Sequence, residues 1–409
     1  MKNELQEEAI ITRLIERIES GNTFILTEIG KAVKEIGQLT PTQAYKLQQM
    51  IKYGASYQTI LERLSKITNL NTKEIDEIYS LYAQKDYNFA RKFYEYRNIP
   101  YVPFNQLEPL KREVQAISNL TKGEYMNLSN TSALGFTIKD LAGNVRFYNI
   151  SNAYQYVIDQ AILSVSQGKD TFQHEMYSIL KSLGESGLKT VDYKSGYHRR
   201  LDSAIRMNLR EGIKTLHNET QRILGEEFGA DMIEISVHSH PAEDHLMQGR
   251  QFLISEFEKL QNGEMARDLK GNTYMLDHDG NGSFRPISTM NCYHTTFYGI
   301  AGVSKPQYTD EELQDIKERN EKGFMFEGKH LTMYEGTQLQ RKLETEIRKQ
   351  KDIQMLGKAS GNDLLIGDAQ FKITQLTNRY KELSKTSGLQ TQMERLRVVG
   401  YKRKRIDRR

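Results

Sequence analysis

Apolar residues recur at three- and four-residue spacing over most of this chain and alternate only in short stretches. That pattern predicts an α+β protein that is predominantly helical. Residues 1–120 read as a helical, tyrosine-rich region with two helix-start signals. In Thr40-Pro41-Thr42-Gln43 the hydroxyl caps, proline suits the first helical position and Gln43 reaches back. Asn71-Thr72-Lys73-Glu74 repeats the arrangement without the proline, and Ile75, Ile78, Leu81 and Tyr82 then mark one packing face. These signals predict a set of short helices; a helix-turn-helix around Gln43 is disfavoured because no basic recognition helix follows.

The pattern changes over residues 121–150, where Ser129, Asn130, Thr131, Ser132 and Gly135 precede Phe136-Thr137-Ile138-Lys139-Asp140. A loop and a short hairpin are expected there. A central helix pair follows, over 153–183 and 197–227, the second closed by Gly229. In it Ile205, Leu209, Ile213, Leu216, Leu224 and Phe228 form an apolar stripe, while Arg199, Arg206, Arg210, Lys214 and His217 form a basic one. The basic stripe reads as a solvated face or as a contact for nucleic acid or an acidic partner, with His198 and His217 as surface residues.

Residues 231–237 alternate polar and apolar, a strand that feeds directly into His238, His240 and His245. With the preceding helices they make a core over 121–308 containing a small mixed β element. Beyond it, Asp277-His278-Asp279-Gly280-Asn281-Gly282 matches the first half of a calcium-binding loop, but Ser288 stands where a bidentate glutamate is needed; a hairpin turn is the simpler reading. From Thr309-Asp310-Glu311-Glu312, a capping box, residues 309–409 form a charged helical region ending in a basic tail. Opposite charges three or four apart around Arg341 and Glu344 support a solvated helix or a helix pair.

With 57 basic and 53 acidic residues in 409, the net charge of +4 does not mark the whole chain as a nucleic-acid binder. Lys402, Arg403, Lys404, Arg405, Arg408 and Arg409 crowd the last eight positions, leaving the remainder slightly acidic. Such a tail binds polyanions by releasing counterions, which makes it the candidate DNA contact. The lone cysteine forms no internal disulfide and the first residues lack an apolar signal core, so synthesis and assembly in a reducing cytoplasm are expected. No run approaches eighteen apolar residues, and neither a phosphate-binding G-x-x-x-x-G-K-[ST] loop nor a G-x-S-x-G nucleophile turn is present.

Soft ligands concentrate at two spots, the histidine segment and Asn291-Cys292-Tyr293-His294. Three readings stay open. His238, His245, Cys292 and His294 hold a structural zinc ion; or they form a metal-free hydrogen-bonded cluster; or Cys292 is a nucleophile with His238 or His245 as its base.

Several words of the sequence together resemble one family. They are Ser236-Val237-His238, His245, Gln248-Gly249-Arg250, Asn291-Cys292-Tyr293-His294, Gly299-Ile300-Ala301-Gly302-Val303-Ser304 and Tyr308-Thr309-Asp310-Glu311-Glu312-Leu313. Leu14-Ile15-Glu16-Arg17-Ile18, Ser186 to Tyr193, Tyr334 to Arg341 with Glu344, and Tyr380 to Ser384 extend the likeness along the chain. The family is the phage minor capsid protein 2 family, minor head proteins of tailed bacteriophages distantly related to Mu F-like head proteins. Its usual Ala-Arg-Pro step between the histidines and its tryptophan are replaced here by His240-Pro241-Ala242-Glu243 and by no tryptophan at all. The resemblance implies a non-enzymatic, low-copy virion component inside the capsid or at the portal vertex, assembled in the bacterial cytoplasm. Its implied partners are the portal or the major capsid and scaffold proteins, with packaged DNA reached through the tail and no membrane; its implied roles are head assembly, DNA packaging or DNA delivery. The alternative is a virion-associated hydrolase centred on Cys292.

Overall fold

The computed structural model describes residues 2–44, 54–130, 133–140, 143–166, 172–191, 197–241, 247–276, 284–289, 292 and 294–402. It is 66 % helical with small antiparallel sheets, so the predominantly helical α+β expectation holds. The helices are α1 (Lys2–Gly37), α2 (Gly54–Tyr96), α3 (Glu108–Leu128), α4 (Ile150–Ser166), α5 (Phe172–Ser186), α6 (Leu201–Phe228), α7 (Ile254–Gln261), α8 (Asp310–Lys322), α9 (Met333–Ser360) and α10 (Asp363–Ser387). The strands are β1 (Leu134–Lys139), β2 (Val145–Asn149), β3 (Lys189–Val191), β4 (His198–Arg200), β5 (Met232–Ile235), β6 (Gln251–Leu253), β7 (Ala266–Arg267), β8 (Thr273–Tyr274), β9 (Thr296–Gly299), β10 (Phe324–Phe326) and β11 (Lys329–Leu331).

The chain divides into two compact units, each assembled from distant segments. The first comprises Met1–Glu74, Gly123–Met207 and Leu339–Arg409; the second comprises Ile75–Lys122 and Asn208–Gln338. Helices α2, α3, α6 and α9 each contribute residues to both.

In the first unit a four-stranded antiparallel sheet runs β2-β1-β3-β4. The β1–β2 hairpin forms where the sequence changes character, with Asp140 accepting from the Asn144 backbone N–H to close the turn. Helices α4 and α5 pack on β1, and α1 packs on both helices. Ile25, Ile29 and Val33 of α1 are fully buried, as are Phe136, Val157, Leu180 and Ile353. Gly30 lets α1 lie close to α9, because a Cβ there would stand 2.7 Å from that of Ala359.

Several expectations change. In place of a set of short helices, the N-terminal region carries the 36-residue α1 and the 43-residue α2. The proposed helix start at Asn71 lies inside α2: its amide is buried, accepts from Arg17 and donates to the Leu14 carbonyl. A residue suited to capping is used instead to bind α1 side-on, and the helix runs through it. The single helix expected over 153–183 is two, α4 and α5, with residues 167–171 outside those described. Residues 121–128, assigned to a loop, finish α3. The Thr40–Gln43 box does form, with Gln43 accepting from the Thr40 N–H at 2.9 Å.

The second unit is built on a three-stranded antiparallel sheet, β6-β5-β9. Central β5 is buried throughout, and Ile233 and Ile235 pack with Met247, Phe252, Phe257 and Leu260, so that α7 covers this side. Two short hairpins, β7–β8 and β10–β11, complete the strands. Thr309 opens α8 with the expected capping box. On α2, Ile75 and Ile78 are buried as the spacing predicts, but Leu81 is exposed and Tyr79 takes the core position.

Candidate functional site

Antiparallel pairing explains how two distant His/Cys segments meet. Strand β5 runs towards His238, whereas β6 and β9 run away from Gln248 and from Cys292-x-His294. The register pairs Ile235 with Thr296 and Glu234 with Gln251, so one end of the sheet collects all three segments. The ladder continues past the strands: the Ser236 N–H donates to the Thr295 carbonyl, the Thr295 N–H to Ser236 Oγ, and the Gly249 N–H to the Ile235 carbonyl. Gly249, at φ +72°, turns the chain where a Cβ would strike Leu313.

The His238 and His294 rings lie 4.4 Å apart, tilted by 57°. Cys292 Sγ is 3.5 Å from His294 Nδ1 and accepts from the Ser288 N–H at 3.3 Å. Gln248 Oε1 stands 3.3 Å from His294 Nε2 and accepts from the His238 backbone N–H at 2.9 Å. Since an amide oxygen only accepts, this contact puts the hydrogen of His294 on Nε2 and turns its Nδ1 lone pair to the sulfur. Cys292 is 2 % and His294 3 % exposed. Three of the four residues expected at a zinc site are therefore neighbours, while His245 lies outside the described residues. Among the described residues no group of three or more His, Cys, Asp or Glu side chains is placed to hold a metal ion. The calcium-loop-like residues 277–282 also lie outside the described set, as do Arg403, Lys404, Arg405, Arg408 and Arg409; Lys402 is exposed.

Two members of the basic stripe are turned inward on α6, while Arg206 and Arg210 stay part-exposed and Arg199 falls on β4. Lys214 is buried and its ammonium donates to the Thr289 and Cys292 carbonyls, pinning the loop that carries the cysteine. His217, expected at the surface, sits between Asp86 (2.9 Å from Nδ1) and the Thr296 carbonyl (3.0 Å from Nε2). His198 is likewise half-buried, its ring stacked on Phe147 at 4.3 Å.

Neighbouring amides complete the pattern. Asn218 Oδ1 accepts from the Thr296 N–H and Gln221 Oε1 from the Tyr298 N–H, both at 3.2 Å. Strand β9 is an edge strand, and α6 supplies partners for backbone groups that a further strand would otherwise take. Gly225 permits the approach, since a Cβ there would meet the Tyr298 ring. Sequence reasoning missed Asn218 and Gln221; the signal was their four-residue spacing from Lys214 and His217, respectively, on one side of the helix.

In the second unit Lys214, His217, Asn218, Gln221 and Gln248 are thus spent on internal bonds that hold helix, strand and loop together. The chain belongs to the phage minor capsid protein 2 family, whose model matches residues 4–384. It is thus a structural protein of a phage head. No curated protein sequence and no solved structure matches it. Among the described residues, no helix is long and apolar enough to cross a membrane.

Proposed function

We propose that this chain is a low-copy component of the phage head, placed near the portal, that serves assembly, DNA packaging or DNA delivery without catalysing a reaction. The observation that carries this reading is the family match over nearly the whole chain. Cross-linking mass spectrometry on assembled heads tests the placement. Cross-links to the portal ring are expected; cross-links to the major shell protein alone would contradict it.

DNA contact is assigned to the tail formed by Lys402, Arg403, Lys404, Arg405, Arg408 and Arg409. Its root is held, because the ammoniums of Lys351 and Lys358 both lie over the Tyr401 ring, at 5.1 and 5.6 Å. A tail fixed at its base and basic beyond it suits a sequence-blind polyanion contact. Deleting residues 402–409 is expected to abolish weak, salt-sensitive binding to duplex DNA in a titration at two salt concentrations; unchanged binding would remove the assignment.

The His/Cys cluster is assigned a structural role, with zinc as its proposed occupant. A sulfur and an imidazole nitrogen bound to one tetrahedral zinc stand about 3.5 Å apart, the separation of Cys292 Sγ and His294 Nδ1. The second nitrogen of His294 faces Gln248, the kind of outer contact that orients a ligating histidine. His238 and His245 would complete the set. Elemental analysis of wild type and Cys292→Ser decides this: zinc near one per chain, lost in the variant, supports the site, and no zinc in either rejects it. The hydrolase alternative pairs Cys292 with His238 or His245, whereas the imidazole facing the sulfur is that of His294 and Cys292 is buried, which favours the structural reading.

A further inference from the structure

The second unit is drawn from two separate stretches of chain, Ile75–Lys122 and Asn208–Gln338, and His217 of α6 bonds across them. Its Nδ1 lies 2.9 Å from each carboxylate oxygen of Asp86 on α2, and its Nε2 lies 3.0 Å from the Thr296 carbonyl on β9. Asp86 is 6 % exposed, and among the described residues His217 is its one bonded partner. The Phe297 ring, 5.0 Å from the imidazole, walls one side.

A neutral imidazole owns one N–H and one lone pair, whereas a carbonyl and a carboxylate only accept. With the hydrogen on Nδ1, the Nε2 lone pair faces the Thr296 carbonyl; with it on Nε2, the Nδ1 lone pair faces the Asp86 carboxylate. Turning the ring over would set carbons against all three oxygens. The contacts are satisfied together only when the imidazole–carboxyl pair holds two protons. The count is the same whether the second proton sits on Nδ1 or on Asp86. Burial adds its own demand, because a carboxylate so little exposed needs a cation beside it.

The charged groups of the surrounding elements are directed elsewhere. On α6, Lys214 lies one turn earlier, and its ammonium bonds Glu211 and the Thr289 and Cys292 carbonyls. On α2, the Lys85 ammonium lies 5.7 Å over the Tyr82 ring and that of Lys92 lies 4.1 Å over the Phe89 ring, attracted by Glu234 of β5. Glu234 in turn accepts from the Gln251 amide and the Gln307 N–H. Strand β9 itself brings only Tyr298, whose ring lies against Gly225.

We propose that His217 and Asp86 form a two-proton clasp on the edge strand: with both protons present α6 holds α2 and the Thr296 carbonyl of β9 at once, and loss of one proton frees that carbonyl. The hydrogen that remains stays on Nδ1, where the carboxylate makes the stronger, charge-assisted bond. Asn218 keeps the N–H and hydroxyl of Thr296 at any pH, so only the carbonyl's share of the attachment follows the proton. That share is present in acid and is lost as rising pH deprotonates the ring. The clasp goes beyond the head-protein reading and does not rest on it.

Histidine-selective nitrogen-15 NMR of the full chain from pH 5.5 to pH 8.5, with His217 assigned through its contact with the Phe297 ring, tests the clasp alongside amide exchange of β9. At pH 5.5 both ring nitrogens of His217 should carry hydrogen. As pH rises Nε2 should lose its hydrogen, and protection of the Thr296 and Tyr298 amides, corrected for intrinsic rates, should fall roughly tenfold in step. Asp86→Asn should keep that protection constant to pH 8.5, since the new amide donates to Nδ1 and leaves the one imidazole hydrogen on Nε2. A plain Asp86–His217 ion pair predicts instead that the substitution loosens β9 at every pH, and that result overturns the proposal. A single ring hydrogen at pH 5.5, or a deprotonation that leaves β9 protection unchanged, overturns it as well. Should the variant fail to fold, the wild-type titration decides alone.

Discussion

The two units solve the same problem, tying together segments far apart in the chain, with different chemistry. The first uses full charges, with Arg348 bonded to Glu19 and Asp202 and Arg200 to Asp202 and Asp352; the second, beside the buried ammonium of Lys214 and the His217–Asp86 pair, relies at its three-stranded sheet on neutral hydrogen bonds, with α6 amides on the edge of β9 and Gln248 between two histidines. Buried ions attract strongly but must balance, so their cohesion depends on proton count. Neutral donors and acceptors need only geometry, and the penalty for a missing partner is the same at any pH.

The largest effect expected from breaking this contrast is at Arg348. Replacing it with Met leaves Glu19 and Asp202 without a shared partner, costing about 3–5 kcal/mol at pH 7.5. Part of that loss should return at pH 5, where Glu19, which burial raises to about 7, accepts a proton, and denaturant unfolding at both pH values reads it out. Asn218→Ala comes next. It deprives the Thr296 N–H and hydroxyl of their acceptor and should cost about 1–3 kcal/mol, equally at both pH values, with faster amide exchange confined to β9. Smallest is Thr309→Ala, which removes one half of the α8 capping box and should cost about 1 kcal/mol, seen as fraying of that helix in hydrogen exchange. A pH-dependent loss for Asn218→Ala, or a pH-independent one for Arg348→Met, would erase the distinction between the units.

Local signals were readable in the sequence and long-range ones were not. The alternation over 231–237 marked β5 and its delivery of His238, and the capping boxes at Thr40 and Thr309 form as their side chains dictate. The apolar stripe of α6 is buried from Ile205 to Phe228. The nearness of Cys292 to His294 follows from a two-residue spacing, but their meeting with His238 and Gln248 needs the β6-β5-β9 order, which no local pattern encodes. Polar residues were the hardest to place. Asn71 has the right chemistry for a helix cap and Lys214 for a solvated face, yet each is buried because a partner elsewhere in the chain satisfies it. Glu19 and Arg348, 329 positions apart, give no sign of one another along the sequence.

The central claim is that this chain is a minor structural part of a phage head. Quantitative mass spectrometry of purified, DNA-filled virions, calibrated with isotope-labelled peptides of this chain and of the major capsid protein, tests it most directly. The account predicts that the chain is present in every preparation at a small, fixed copy number, far below that of the shell protein. Its absence from virions while abundant in the infected cell, or a copy number equal to that of the shell protein, would contradict it.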